Sequence, residues 1–135
     1  MIGYNRLGSN GRLGNQMFQY ASLRGIASKN GYDWCIPPEE YDHKDNYGLF
    51  ETFKLISVTS KNLGFVQGDY VQENDHCFLE DFFNVLPDNV SLDGYFQTEK
   101  YFSHIREEIL ADYTFRDDYF LPCKQYIDSL DSPPI

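Results

Sequence analysis

The stretch "GSNGRLGNQMFQYA", residues 8–21, constrains this chain more than any other. Gly8, Gly11 and Gly14 interrupt regular structure, Arg12 stands between the last two, and Asn15-Gln16 leads into an apolar run. Before it, Ile2 to Leu7 has the makings of a short strand. After it, Met17, Phe18, Ala21, Leu23 or Arg24, and Ile26 or Ala27 recur at helical spacing as far as Lys29. Asn30-Gly31 is a helix stop, and Tyr32 to Ile36 reads as a second strand ended by Pro37-Pro38. Strand, glycine loop, helix and strand make a βαβ unit, which predicts an α/β fold with a parallel sheet and flanking helices.

A loop of this kind has the parts of an anion site. Glycine lets the backbone turn and lets an anion approach, and the following helix offers its positive end. Arg12 adds a charged contact, and Asn15 and Gln16 add donors in the first turn. The pattern is neither GxxxxGK[ST] nor GxGxxG, because its glycines fall three apart. Asp33 lies roughly twenty residues on, where a ribose-binding acid of a dinucleotide fold is found. Spacing alone leaves three readings open: an anion-holding loop, a nucleotide-binding oxidoreductase domain, and a plain strand-to-helix turn.

Charge narrows the partners. The net charge is −10, which disfavours nucleic acid and anionic membrane surfaces. Arg6, Arg12, Arg24 and Lys29 precede the first acid, Asp33, and all 21 acids follow from there. The one positive stretch therefore carries the glycine loop, a field suited to a small anion. Cys35, Cys77 and Cys123 are far apart, odd in number and without zinc spacing, and read as reduced thiols. There is no apolar run of membrane-spanning length and no signal peptide, so the expectation is a cytoplasmic chain, or one peripheral to a membrane.

Further along, the type of "LFETFKLISV" is ambiguous, and "FVQGDYVQEND" suggests short strands and a turn. "HCFLEDFFNVLP" fits a short helix or an extended segment, and "VSLDGYF" predicts a strand ending at Gly94. Thr98 to Ala111 predicts a helix with Tyr101, Phe102, Ile105, Ile109 and Leu110 on one side. Another helix is expected after Pro122, over Lys124 to Leu130. Tyr95 and Gln97, at the end of the expected strand, are placed for binding. Glu99 is a candidate general base, or else a first-turn glutamate that favours the helix dipole. His43, His76 and His104 have no metal spacing. "NDHC" offers no complete site, Asp75, Glu80 and Asp81 read as a solvated acidic face, and "EEYDHKD" lacks the calcium-loop pattern.

"GRLGNQMFQYA" closely resembles the N-terminal motif of the glycosyltransferase family 11 fucosyltransferases, and "GYFQTEKYF", Gly94 to Phe102, resembles a further motif of that family. The resemblance implies a Rossmann-like portion of a two-domain GT-B fold. It also implies transfer of L-fucose from GDP-fucose to a galactoside hydroxyl in α-1,2 linkage, with inversion and with no metal or other cofactor. Position by position, the loop near the donor diphosphate carries over to Gly11, Arg12, Gly14, Asn15 and Gln16. The implied partners are GDP-fucose and a galactose-containing glycan.

The family's His-x-Arg-Arg-Gly-Asp motif has no counterpart here, and His104-Ile105-Arg106-Glu107 does not replace it. Residues 1–135 are therefore expected to be one N-terminal, acceptor-side domain with the donor-binding domain absent, cut short or split. Such a half is expected to be nearly inactive alone, to expose apolar surface, and to associate with the missing half or with itself. The alternative is a glycan- or nucleotide-binding remnant without chemistry.

Overall fold

The structure is a computed structural model that describes residues 1–9, 11–40, 47–73 and 78–130. His43, Asp75, His76, Cys77 and most of "EEYDHKD" lie outside the described residues. The elements run β1 (Ile2–Gly3), α1 (Leu13–Asn30), β2 (Trp34–Cys35), α2 (Leu49–Thr52), β3 (Tyr70–Gln72), α3 (Glu80–Asn84), β4 (Ser91–Asp93), α4 (Arg106–Asp112) and α5 (Asp117–Asp128). Short 3₁₀ turns occupy Ser60–Asn62, Glu99–Tyr101 and Ser103–Ile105.

The strands form one parallel sheet in the order β2-β1-β4-β3. The register pairs Ile2 with Trp34, Gly3 with Ser91, and Val71 with Leu92. The expected βαβ start is present, with β1 and β2 parallel and α1 between them. The strands are shorter than the sequence suggests. The chain turns immediately after Gly3, and only Ile36 continues the second strand, as a bridge to Leu63.

Helix α1 is the organising element. It begins at Leu13, so Gly14 lies inside its first turn, ahead of the Asn15-Gln16 pair that leads into the helical pattern. It ends as expected, with Gly31 in the left-handed conformation (φ 72°) and its N–H bonded to the last turn. Its buried face is the predicted one only in part: Ala21, Leu23, Ile26 and Ala27 are buried as expected, but the first turns differ. Phe18 is exposed and Met17 half-buried, whereas Gln16, Gln19, Tyr20 and Ser22 are sealed from solvent. The core joins this face to Ile2, Tyr4, Leu92, Phe96 and Tyr101.

Two other expectations are corrected. Thr98 to Ala111 is not one helix but two 3₁₀ turns followed by α4. Phe102, at φ −136°, separates the turns, and the segment is drawn against α1 to bury Tyr101 and Ile105 while leaving Leu110 outside. The last helix does not wait for Pro122 but runs through it from Asp117 to Asp128. Proline removes one backbone donor there. The helix is fully solvent-facing, so water can satisfy the carbonyl left without its partner. Its Tyr119, Phe120, Leu121, Tyr126 and Ile127 are all exposed.

A buried polar knot ties α1 to α4. Asp112 is inaccessible to solvent; its Oδ2 accepts from Arg24 Nη1 at 2.5 Å and from the Tyr20 hydroxyl at 2.6 Å. Its Oδ1 accepts the Ser57 N–H at 2.8 Å. The Arg24 guanidinium also lies over the Trp34 ring, 5.2 Å from its centroid. Burial, with the hydrogen bond to Asp112, pushes the Tyr20 phenol far above its usual pKa, so it remains a neutral donor.

The close approach of α1 to the segment after β4 requires glycine at position 25. A Cβ there would fall 1.9 Å from the Tyr101 carbonyl oxygen and 2.7 Å from Phe102 Cα. Both are backbone atoms and cannot be cleared by a rotamer change. Gly25→Ala is expected to destabilise the chain by about 3 kcal/mol or more, at the upper end for overpacking. Urea unfolding measures this, and a loss under about 1 kcal/mol would mean that the two segments are not in this contact.

Candidate functional site

Parallel α/β sheets bind ligands outside the carboxyl ends of their strands. Here the loops leaving the two central strands, β1 and β4, carry the two motifs, Gly8 to Gln16 and Gly94 to Phe102. They touch directly: Gln97 Nε2 donates to Asn15 Oδ1 at 2.7 Å. Residues 82 positions apart in sequence thus form one surface.

The residues of the glycine loop take different parts. Gly11 has φ +112°, which L side chains rarely adopt, and a Cβ there would crowd Asn15. Arg12 is the exposed N-cap of α1 in extended conformation. Among the described residues no side chain caps the helix, and its first turn holds no acid to oppose its positive end. Gly14 is exposed and helical, and a Cβ there would meet nothing within 4 Å among the described residues. Asn15 is half-buried beside Gln97.

Gln16 is fully buried. Its Nε2 donates to the Gly11 carbonyl at 3.0 Å, and its Oε1 accepts the Gly48 N–H at 3.0 Å. The amide is thus engaged inside the protein, where it sets the shape of the loop.

The turn after β4 is equally constrained. Gly94 has φ +135° and Phe96 has φ +51°, a left-handed conformation that costs a non-glycine residue roughly 1–2 kcal/mol. Phe96 nonetheless stays, buried edge-on against Tyr4 and Tyr101. Gln19 Nε2 donates to the Gly94 carbonyl at 3.0 Å, the Tyr4 hydroxyl donates to the same oxygen, and Ser22 Oγ donates to the Phe96 carbonyl at 3.2 Å. Burial, with Asp93 nearby, raises the Tyr4 pKa well above the ordinary phenol range and keeps it a donor. Tyr95 and Gln97, on either side of Phe96, are exposed.

Glu99 is exposed in the 3₁₀ turn opened by Thr98, whose hydroxyl accepts the Lys100 N–H at 3.4 Å. With Gly14, Met17, Phe18, Phe102 and Leu110 it lines an apolar groove of about 370 Å³ beside the Asn15–Gln97 contact. Asp33 does not join the site. It precedes β2, at the amino end of the sheet, and its carbonyl receives the Ile2 N–H at 2.9 Å. A ribose acid belongs at the opposite end, so the oxidoreductase reading loses its second support.

Sequence reasoning missed a set of polar residues at the same sheet end. Arg6 Nη1 reaches Asp93 Oδ2 at 3.0 Å, Gln72 Nε2 reaches the same oxygen at 3.1 Å, and Arg6 lies over the Tyr70 ring at 4.9 Å. The available signal was positional: Arg6 follows a strand in "IGYNR", and Gln72 and Asp93 end theirs in "DYVQ" and "SLDGY". Among the described residues, no helix is long and apolar enough to cross a membrane.

Known proteins share this sequence pattern. Galactoside alpha-(1,2)-fucosyltransferase 2 of Sus scrofa is 30% identical over 110 residues, covering 79% of this chain and 30% of that protein. The Oryctolagus cuniculus protein of the same name is 32% identical over 108 residues, covering 79% and 29%. Galactoside 2-alpha-L-fucosyltransferase SEC1 of Bos taurus is 29% identical over 111 residues, covering 80% and 28%. The chain is homologous to the α-1,2-fucosyltransferases. It spans about 30% of the length of these relatives. No family model matches the chain, and no solved structure matches it at a significant level.

Gln16 offers a test of the loop's construction. Gln16→Leu leaves the Gly48 N–H and the Gly11 carbonyl without this partner, and is expected to cost about 1–3 kcal/mol. Thermal unfolding reads the loss, and an unchanged midpoint would show that the loop is shaped by something else.

Proposed function

We propose that this chain forms the glycine-loop side of an α-1,2-fucosyltransferase of the two-domain GT-B type, acting on GDP-fucose and a galactoside hydroxyl with inversion. The observation that carries this reading is the Gln97–Asn15 hydrogen bond, which unites both motifs in one surface at the carboxyl end of the sheet. The reading is supported by relatives named as galactoside fucosyltransferases.

In this reading Arg12 and the open amino end of α1 face the donor diphosphate. Charge accumulates on that group as the fucosyl bond breaks, and cationic donors aimed there lower the barrier. Gly11 allows the turn and Gly14 allows approach. A glycine inside a helix costs up to about 1 kcal/mol relative to alanine, and no neighbour among the described residues requires one at position 14. A ligand passing over that turn supplies the reason. Asn15 links the two loops, and Gln16 holds the donor loop from beneath. Tyr95 and Gln97 face the acceptor, with an aromatic plane and an amide suited to a sugar ring and its hydroxyls. Glu99 stands as the base that takes the acceptor proton as the fucosyl bond forms. No metal enters this scheme.

The test separates folding from binding. Gly14→Ala is expected to leave stability unchanged or raise it by up to about 1 kcal/mol. It should weaken GDP binding about tenfold, by placing a methyl group in the donor's path. Arg12→Ala, at an exposed position, should weaken GDP by about tenfold or more through loss of a charge-assisted contact. Calorimetric titration of GDP measures both. Wild-type affinity in both variants would remove the donor assignment. Fucose transfer to a β-galactoside by the same preparation separates an enzyme from a binding module, since GDP binding without transfer would support only the latter.

A further inference from the structure

The strained turn that presents Tyr95 and Gln97 is held partly from outside both motifs. Glu73 follows β3, at the carboxyl end of the edge strand. Its N–H donates to the Asp93 carbonyl at 2.9 Å, which extends the β3–β4 ladder by one residue. Its Oε1 accepts the Phe96 N–H at 2.9 Å. Its Cβ lies so near Gly94 that a Cβ at position 94 would sit 2.8 Å away.

Further bonds to this turn come from Tyr4, just after β1, and from Gln19, Ser22 and Asn15 of α1, and the Thr98 N–H closes onto the Phe96 carbonyl at 2.9 Å. They grip the carbonyls of Gly94 and Phe96 and the side chain of Gln97. The amide of Phe96 is gripped by Glu73. That amide is the informative one, because φ of Phe96 is the rotation about its own N–Cα bond, and φ is the strained angle. With the peptide plane fixed on the nitrogen side by Glu73 and on the carbonyl side by Ser22, a left-handed residue persists where an ordinary φ is otherwise preferred.

We propose that Glu73 is a positioning residue of this site: its carboxylate clamps Phe96 in the left-handed conformation and so fixes where Gln97 meets Asn15. The identity of what the site then binds rests on the fucosyltransferase reading above, but the clamp does not. Glu73 acts through Phe96 and Gln97, and no contact of its own with substrate is required. What the role needs is an acceptor oxygen at this place. A neutral amide oxygen serves as well as a carboxylate, and an alkyl group of the same size does not.

Three chains decide it: wild type, Glu73→Gln and Glu73→Leu. Backbone amide exchange, resolved by NMR, is followed at Phe96 and at neighbouring core amides, with thermal melts alongside. The leucine variant should exchange the Phe96 amide about tenfold faster or more while amides of α1 keep their protection, and the glutamine variant should match wild type. GDP titration should show affinity falling about fivefold in the leucine variant and restored in the glutamine variant, because misplacing a site residue weakens what it holds. Equal Phe96 exchange in all three, or a glutamine variant as fast as the leucine one, would overturn the proposal. If Glu73→Leu unfolds, the glutamine variant alone still decides, since a drop in its Phe96 protection would refute the acceptor role. Failure of wild type to bind GDP would count against the fucosyltransferase reading and leave the exchange result standing.

Discussion

The polar side chains buried along α1 are what the rest of the structure hangs on. Gln16, Gln19 and Ser22 are inaccessible to solvent and Arg24 is 8% exposed, an unusual complement for the inner face of a central helix. A buried polar group without a partner costs about 1–3 kcal/mol, so each of these must find one. They find them on other segments: Gln16 at Gly11 and Gly48, Gln19 at Gly94, Ser22 at Phe96, Arg24 at Asp112. The helix thereby fixes the glycine loop, the α2 entry, the turn after β4 and the end of α4. Apolar packing alone tolerates small slides between elements, whereas hydrogen bonds to specific carbonyls do not.

That arrangement explains how very short strands hold a defined site. β1 contributes two residues and β4 three, too little ladder to orient the loops beyond them. Orientation comes from above, through α1, and from the side, through Glu73. The result is a turn with two positive-φ residues, Gly94 and Phe96, flanking the exposed Tyr95. Holding a buried aromatic residue in the left-handed region is expensive, and strain over-determined by surrounding bonds is a mark of functional turns.

Much of this was legible in the sequence, and the failures have a common cause. The βαβ start, the parallel sheet, the Gly31 helix stop and the strand before Gly94 all follow from local signals: turn residues, an apolar run and a proline stop. What local pattern could not supply was which polar residues are interior. Periodicity counts Phe18 as core and Gln19 as surface, because it assumes that burial follows hydropathy. Gln19 is inside because Gly94 offers it a carbonyl 75 residues away, a fact about tertiary contact. The same holds for the segment from Thr98 to Ala111, where apolar spacing fits a helix, but the demand to seat Tyr101 under Gly25 breaks it into tighter turns. Glu73 carries no motif at all, and its role exists only once β3 lies beside β4.

The cations of the first 32 residues show the same limit and bear on function. From sequence, Arg6, Arg12, Arg24 and Lys29 make a positive field around the glycine loop. In the fold, Arg24 is neutralised by Asp112 in the interior, Arg6 is paired with Asp93, and Lys29 lies over the Phe83 ring. Arg12 makes no ion pair among the described residues and remains at the mouth of the loop with the end of α1 behind it. One guanidinium, with about half a charge from the helix end, falls short of a nucleotide diphosphate. The acids elsewhere on the chain add repulsion, muted by salt beyond about a Debye length. On the proposed reading, electrostatics of this balance favour a loop that orients a diphosphate over one that neutralises it.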